Sequence, residues 1–68
     1  SVDWVSKIIE ALPEQQKIIL QLRDIEQYEF EEIAEMLDMN QTAIRVALSR
    51  ARKTIREQLT NTHRYGIK

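Results

Sequence analysis

Phe30-Glu31-Glu32-Ile33-Ala34-Glu35-Met36-Leu37, Asp38-Met39-Asn40, then Gln41-Thr42-Ala43-Ile44-Arg45-Val46-Ala47-Leu48-Ser49-Arg50-Ala51-Arg52: a short amphipathic run, a three-residue break, and a longer amphipathic run. In the first, Phe30, Ile33, Ala34 and Leu37 recur at the spacing that puts them on one side of a helix. Glu29, Glu31 and Glu32 gather at its start, where carboxylates complement the positive helix end. Asn40 is a strong N-cap, because its side-chain oxygen can accept from the unpaired amides of the following helix. A short helix, a tight turn and a longer helix spell a helix-turn-helix. Ala34 supplies the small residue such a crossing needs, and Ile33, Leu37, Met39, Ile44 and Ala47 are placed to lock its angle.

The longer run is expected to stay helical from Gln41 to about Leu59. With Ile44 at zero on a helical wheel, Leu48, Ala51, Ile55 and Leu59 fall within about 60° of it as one buried stripe. Gln41, Thr42, Arg45, Ser49, Arg52, Lys53 and Arg56 occupy the opposite arc, with Val46 just beyond. No carboxylate appears there before Glu57. An ordinary exposed helix mixes signs, since Glu and Lys four residues apart attract. Here like charges repel, so an external polyanion should offset them, and DNA phosphate is the leading candidate. The N-terminal residues of a second helix of this kind enter the major groove. Gln41, Thr42, Arg45, Val46 and Ser49 would then approach base edges: Arg45 bidentate to guanine, Gln41 to adenine, Val46 against a thymine methyl. Arg50, Arg52, Lys53 and Arg56 lie nearer phosphates, where they add affinity without sequence information.

The rest of the chain is compatible with a small all-α domain of four helices. Helix one is expected from about Val2 to Ala11, with Ser1 as its cap and Val2, Val5, Ile8, Ile9 and Leu12 inward. Pro13 suits the first position of helix two, whose stripe reads Ile18, Ile19, Leu22 and Ile25, before a short connection over Asp24 to Glu29. Residues 1–59 form the expected domain and 60–68 a frayed tail. Gly and Pro occur once each in 68 residues, too few for a turn-rich β fold. Cysteine is absent and His63 is the only histidine, which leaves no disulfide, no ordinary zinc site and no expected cofactor. The longest apolar run, Ile18-Ile19-Leu20, is far too short to cross a bilayer, and a soluble, intracellular protein is expected. The net charge of −1 hides a division: residues 1–39 carry −7 and residues 40–68 carry +6. One end is built for a polyanion and the other for something else.

Leu12-Pro13-Glu14-Gln15-Gln16, Ile19-x-x-Leu22-Arg23, Phe30 to Leu37, and Ala43-Ile44-Arg45 with Leu48-Ser49-Arg50-Ala51-Arg52 together resemble region 4 of bacterial sigma factors, most closely the extracytoplasmic-function branch. The last segment is the most specific part. The resemblance implies a cytoplasmic four-helix domain that recognises the upstream (−35) promoter element in double-stranded DNA as part of RNA polymerase holoenzyme. It also implies that the acidic N-terminal helices meet the polymerase β-subunit flap, and that an anti-sigma factor covers the same surfaces. Gln41, Thr42, Arg45, Val46, Ser49 and Arg50 occupy the positions that face DNA. Four places depart from the family pattern. Asp38 stands where the turn usually has glycine, Glu29 replaces a serine cap, Thr42 a frequent glycine, and Val46-Ala47 a commonly polar-basic pair. A sigma factor also needs a promoter-melting region, for which 68 residues leave no room, so a fragment, a stand-alone domain or an excised piece is expected.

Other residues carry weaker signals. Trp4 is a candidate partner anchor or a lid on a small core. Glu29, Glu31, Glu32, Glu35 and Asp38 read as a solvated, dipole-compensating face rather than a cation site. His63 reads as a tail residue, and Tyr28 and Tyr65 as packing or surface residues. With no glycine-rich phosphate loop and no nucleophile paired with a base, an enzyme is not expected. Two rival functions remain at this level. One is an output domain of a two-component regulator, which would dimerise on paired half-sites. The other is an interaction module whose basic face docks an acidic protein.

Overall fold

A computed structural model of the protein describes residues 4–66, with side chains described over 4–60. Among these residues, four α-helices and one π turn succeed each other: α1 (Trp4–Glu10), α2 (Glu14–Leu20), the π turn (Gln21–Ile25), α3 (Phe30–Leu37) and α4 (Gln41–Gly66). The all-α helix-turn-helix architecture expected from the sequence is therefore present. Ser1, Val2 and Asp3, assigned to the start of helix one, lie outside the described residues.

Helix α1 buries Ile8 and ends at Glu10, one residue earlier than its apolar spacing suggests. The amides of Ala11 and Leu12 turn back to the carbonyls of Ile8 and Ile9 at 3.2 and 3.1 Å, which tucks Leu12 into the core. Pro13 sits at the N-cap of α2, not at its first helical position, with φ −53° and ψ 144°. The ring fixes φ and removes an amide that a helix start cannot use, while the Pro13 carbonyl accepts from Lys17 N–H at 3.0 Å.

The clearest departure from expectation comes after α2. The stripe Ile18, Ile19, Leu22, Ile25 assumes an uninterrupted α period. Instead the chain widens into a π turn, where Glu26 N–H reaches back five residues to the Gln21 carbonyl at 2.9 Å. The extra residue in that turn rotates the downstream chain about the helix axis. Ile19 and Leu20 take the core, Leu22 is half-buried, and Ile25 swings out to 64% exposure. Gln27 then adopts a left-handed φ of 65° and the chain reverses into α3.

Helix α3 has the expected bounds. Glu29 stands at its N-cap, and the Glu32 carboxylate accepts from Glu29 N–H at 2.8 Å, a reciprocal use of the first turn's acids. At the other end Asp38 adopts φ 54°, ψ 49°, the left-handed stop that glycine most often fills. Met39 N–H closes the turn on the Ala34 carbonyl at 3.0 Å. Asn40 then caps α4, its Oδ1 accepting from Ala43 N–H at 2.7 Å, as its type and position demand.

Helix α4 is the spine, packed against α1, α2 and α3. Leu12, Ile19, Leu20, Ile33, Ile44, Ala47, Leu48 and Ala51 form one core, flanked by half-buried Phe30, Ala34, Leu37, Met39 and Ile55. Two expectations for α4 need correction. Its backbone stays helical to Gly66 rather than stopping near Leu59, because no helix-breaking residue intervenes. Leu59, assigned to the buried stripe, is 38% exposed: the wheel gives its direction, but among the described side chains of α4 the last fully buried one is Ala51.

Candidate nucleic-acid interface

The site begins with the turn. Asn40 fixes where α4 starts, and Asp38 fixes how α3 leads into it. Ile33 and Ile44, both fully buried, bolt the two helices together. With Ile44 inward, Thr42, Arg45, Ser49, Arg52 and Arg56 stand at alternating spacings of three and four, the ladder of a single exposed face. All five are exposed, and Gln41 is half-buried. Val46, Arg50 and Lys53 form the adjacent exposed row. Val46 keeps 42% of its surface in solvent, an aliphatic group left uncovered among cations. The first turn of α4 contains no acid, so nothing within the helix offsets its positive end.

Two arginines on this face have intramolecular partners that the sequence did not disclose. Arg52 is not simply free toward solvent. Its Nε donates to Asp24 Oδ2 at 3.1 Å while a second guanidinium nitrogen donates to Oδ1. Asp24 lies in the π turn, 28 residues earlier, and the fork-to-fork geometry suits arginine and carboxylate. The hydrogen bond to Asp24 holds the Arg52 pKa above its ordinary value, against a small opposing effect of burial. The expected phosphate role of Arg52 must therefore compete with this bond.

Arg45 has an aromatic partner instead. Its Cζ lies 4.9 Å from the centroid of the Phe30 ring, and Arg23 Cζ lies 4.6 Å from the same centroid. Arg23 is tied down, donating to the Tyr28 carbonyl at 2.9 Å and lying 3.5 Å from Glu29 Oε1. Among the described residues no ion pair engages Arg45, Arg50, Lys53 or Arg56. A cationic ridge thus persists with Arg52 held apart from it.

Sequence reading placed the nine candidate residues on one helix but missed Asp24, Arg23 and the ring of Phe30 as their supports. Only Arg23 carried a usable signal, as a cation close before an aromatic residue. Elsewhere, Tyr28 is half-buried against the core, as a packing residue. Trp4 is 46% exposed and lines an apolar cleft with Leu12 and Pro13 below it and Thr54 and Gln58 of α4 beyond. The side chains of His63 and Tyr65 lie outside those described. Among the described residues no cluster of His, Asp or Glu is arranged to hold a metal ion, and no helix is long and apolar enough to cross a membrane.

The family model described as "Sigma-70, region 4" matches residues 3–55. The chain belongs to that family. No curated protein and no solved structure matches it. Sigma-70 region 4 domains are regulatory DNA-binding units of transcription rather than enzymes, and the match spans every residue from α1 to the Ile55 end of the buried stripe. Membership in this family argues against the two-component output domain.

Proposed function

We propose that this sigma-70 region 4 domain reads the upstream (−35) promoter element by laying the N-terminal half of α4 in the major groove, within bacterial RNA polymerase holoenzyme in the cytoplasm. The observation that carries the reading is the outer face of α4. It is capped by Asn40, lacks any acid before Glu57, and presents Arg45, Arg50, Lys53 and Arg56 without carboxylate partners among the described residues. Gln41, Thr42, Arg45, Val46 and Ser49 meet base edges, Arg45 through a bidentate pair to guanine. Arg50, Lys53 and Arg56 meet phosphates, joined by Arg52 when it leaves Asp24. The Leu-Ser-Arg-Ala-Arg segment at positions 48–52 supports assignment to the extracytoplasmic-function branch. The acidic first half supports docking to the polymerase β flap and cover by an anti-sigma factor.

The test is a selection of duplexes from a randomised pool by the chain, with affinity then measured over a salt series. Arg45→Ala should relax preference at one base pair and cost about 1–3 kcal/mol there. Lys53→Ala should weaken all sequences alike and reduce the salt slope by about one. If both variants bind like the parent chain, the reading fails. Recovery of core RNA polymerase on the immobilised chain tests the docking role independently of DNA.

A further inference from the structure

Arg45 raises a physical problem that its place on the helix does not answer. A long side chain free in solvent loses on the order of 1–2 kcal/mol of rotamer freedom when it is fixed against a base. A carboxylate neighbour would hold it in advance, but would also neutralise it and compete for its donors. The structure uses neither freedom nor an acid. Arg45 rests over Phe30, 4.9 Å from the ring centroid, and has no ion-pair partner among the described residues. A guanidinium over an aromatic face engages the ring through its flat side, leaving the charge intact and the N–H donors at its edge available. The ring is itself held in place: Phe30 opens α3 and packs against the Ile33–Ile44 core. Arg23 shares the ring but is committed elsewhere, to the Tyr28 carbonyl and to Glu29. Of the two guanidiniums, Arg45 is the one at liberty to reach a ligand.

We infer that Phe30 is a positioning residue: its ring holds Arg45 extended and charged at the start of α4, so that the guanidinium meets guanine already oriented. This rests on the proposed assignment of Arg45 to base reading.

The test has two arms that fail separately. In NMR spectra of the free chain, the Arg45 side-chain Hε and δ-methylene signals should be shifted upfield by the ring, and should return to ordinary positions in Phe30→Leu. Selection from a randomised duplex pool should then show Phe30→Leu losing about two- to fivefold of the preference at the one base pair where Arg45→Ala relaxes it. Preferences elsewhere should be unchanged, and Phe30→Tyr should restore the loss. Unshifted Arg45 signals in the parent chain overturn the inference without any variant having to fold. So does a Phe30→Leu protein that keeps full preference at that base pair, or loses affinity equally for every sequence. If the parent chain enriches no sequence while the shifted signals persist, the assignment of Arg45 to DNA has failed, and the positioning role falls with it for a distinguishable reason.

Discussion

Asn40 and Asp38 show how much a single residue decides here. Asn40 satisfies one of the orphan amides of α4 at 2.7 Å, and replacing it by alanine should cost about 1 kcal/mol, read as a lower midpoint in urea unfolding with unchanged slope. Asp38 holds a left-handed conformation that glycine adopts with less strain. Asp38→Gly should therefore stabilise the fold by up to about 1 kcal/mol in the same measurement. Arg52 gives a prediction about pH. Its pKa is raised on folding. A base shifted upward contributes stability that is complete below its unfolded pKa and disappears only as pH climbs through the folded one. Both lie far above neutrality, so Arg52 should add no slope to stability between about pH 6 and 9.

Helices and turns respond at a larger scale. Ile44→Ala removes a fully buried side chain from the α3–α4 crossing and should cost about 2–5 kcal/mol, enough to threaten a small domain. The bond between the π turn and α4 behaves differently. Both partners are partly exposed, so Asp24→Asn should change stability by less than about 1 kcal/mol. Its effect should appear in binding, where released Arg52 steepens the dependence of DNA affinity on salt by about one phosphate. An unchanged slope would mean that Asp24 does not hold Arg52 back from DNA. The contrast also shows what the sequence could disclose. The bounds of α3 and the Asn40 cap are written in neighbouring residues, so local reading finds them. Ile25 and Leu59 were misplaced because periodicity supplies only an angle. It does not register a widened turn, or the point where neighbouring helices cease to cover α4.

Across the whole molecule, the division into an acidic first part and a basic last part survives folding as two kinds of surface. Glu31, Glu32 and Glu35 line a shallow depression on α3 with Ala34 and Met39, while the cations occupy the outer arc of α4. The common face of the nine proposed residues was legible because one helix carries them all. Their supports were not, because Asp24 and Arg52 are joined only by the folded path of the chain. Arg45 and Phe30 likewise meet only once α3 and α4 have crossed.

The wide turn at Gln21–Ile25 amounts to one surplus residue in an otherwise continuous helical path. Deleting a single position there should let the ordinary period resume while the chain beyond keeps its direction, because the wide turn spends about one residue more than an α turn on the same arc. Ile25 would stay outside and the aspartate would stay within reach of its arginine. The domain thus tolerates a change of one codon at this turn, and in either form the acidic half of the chain stays tied to the helix that carries the cations.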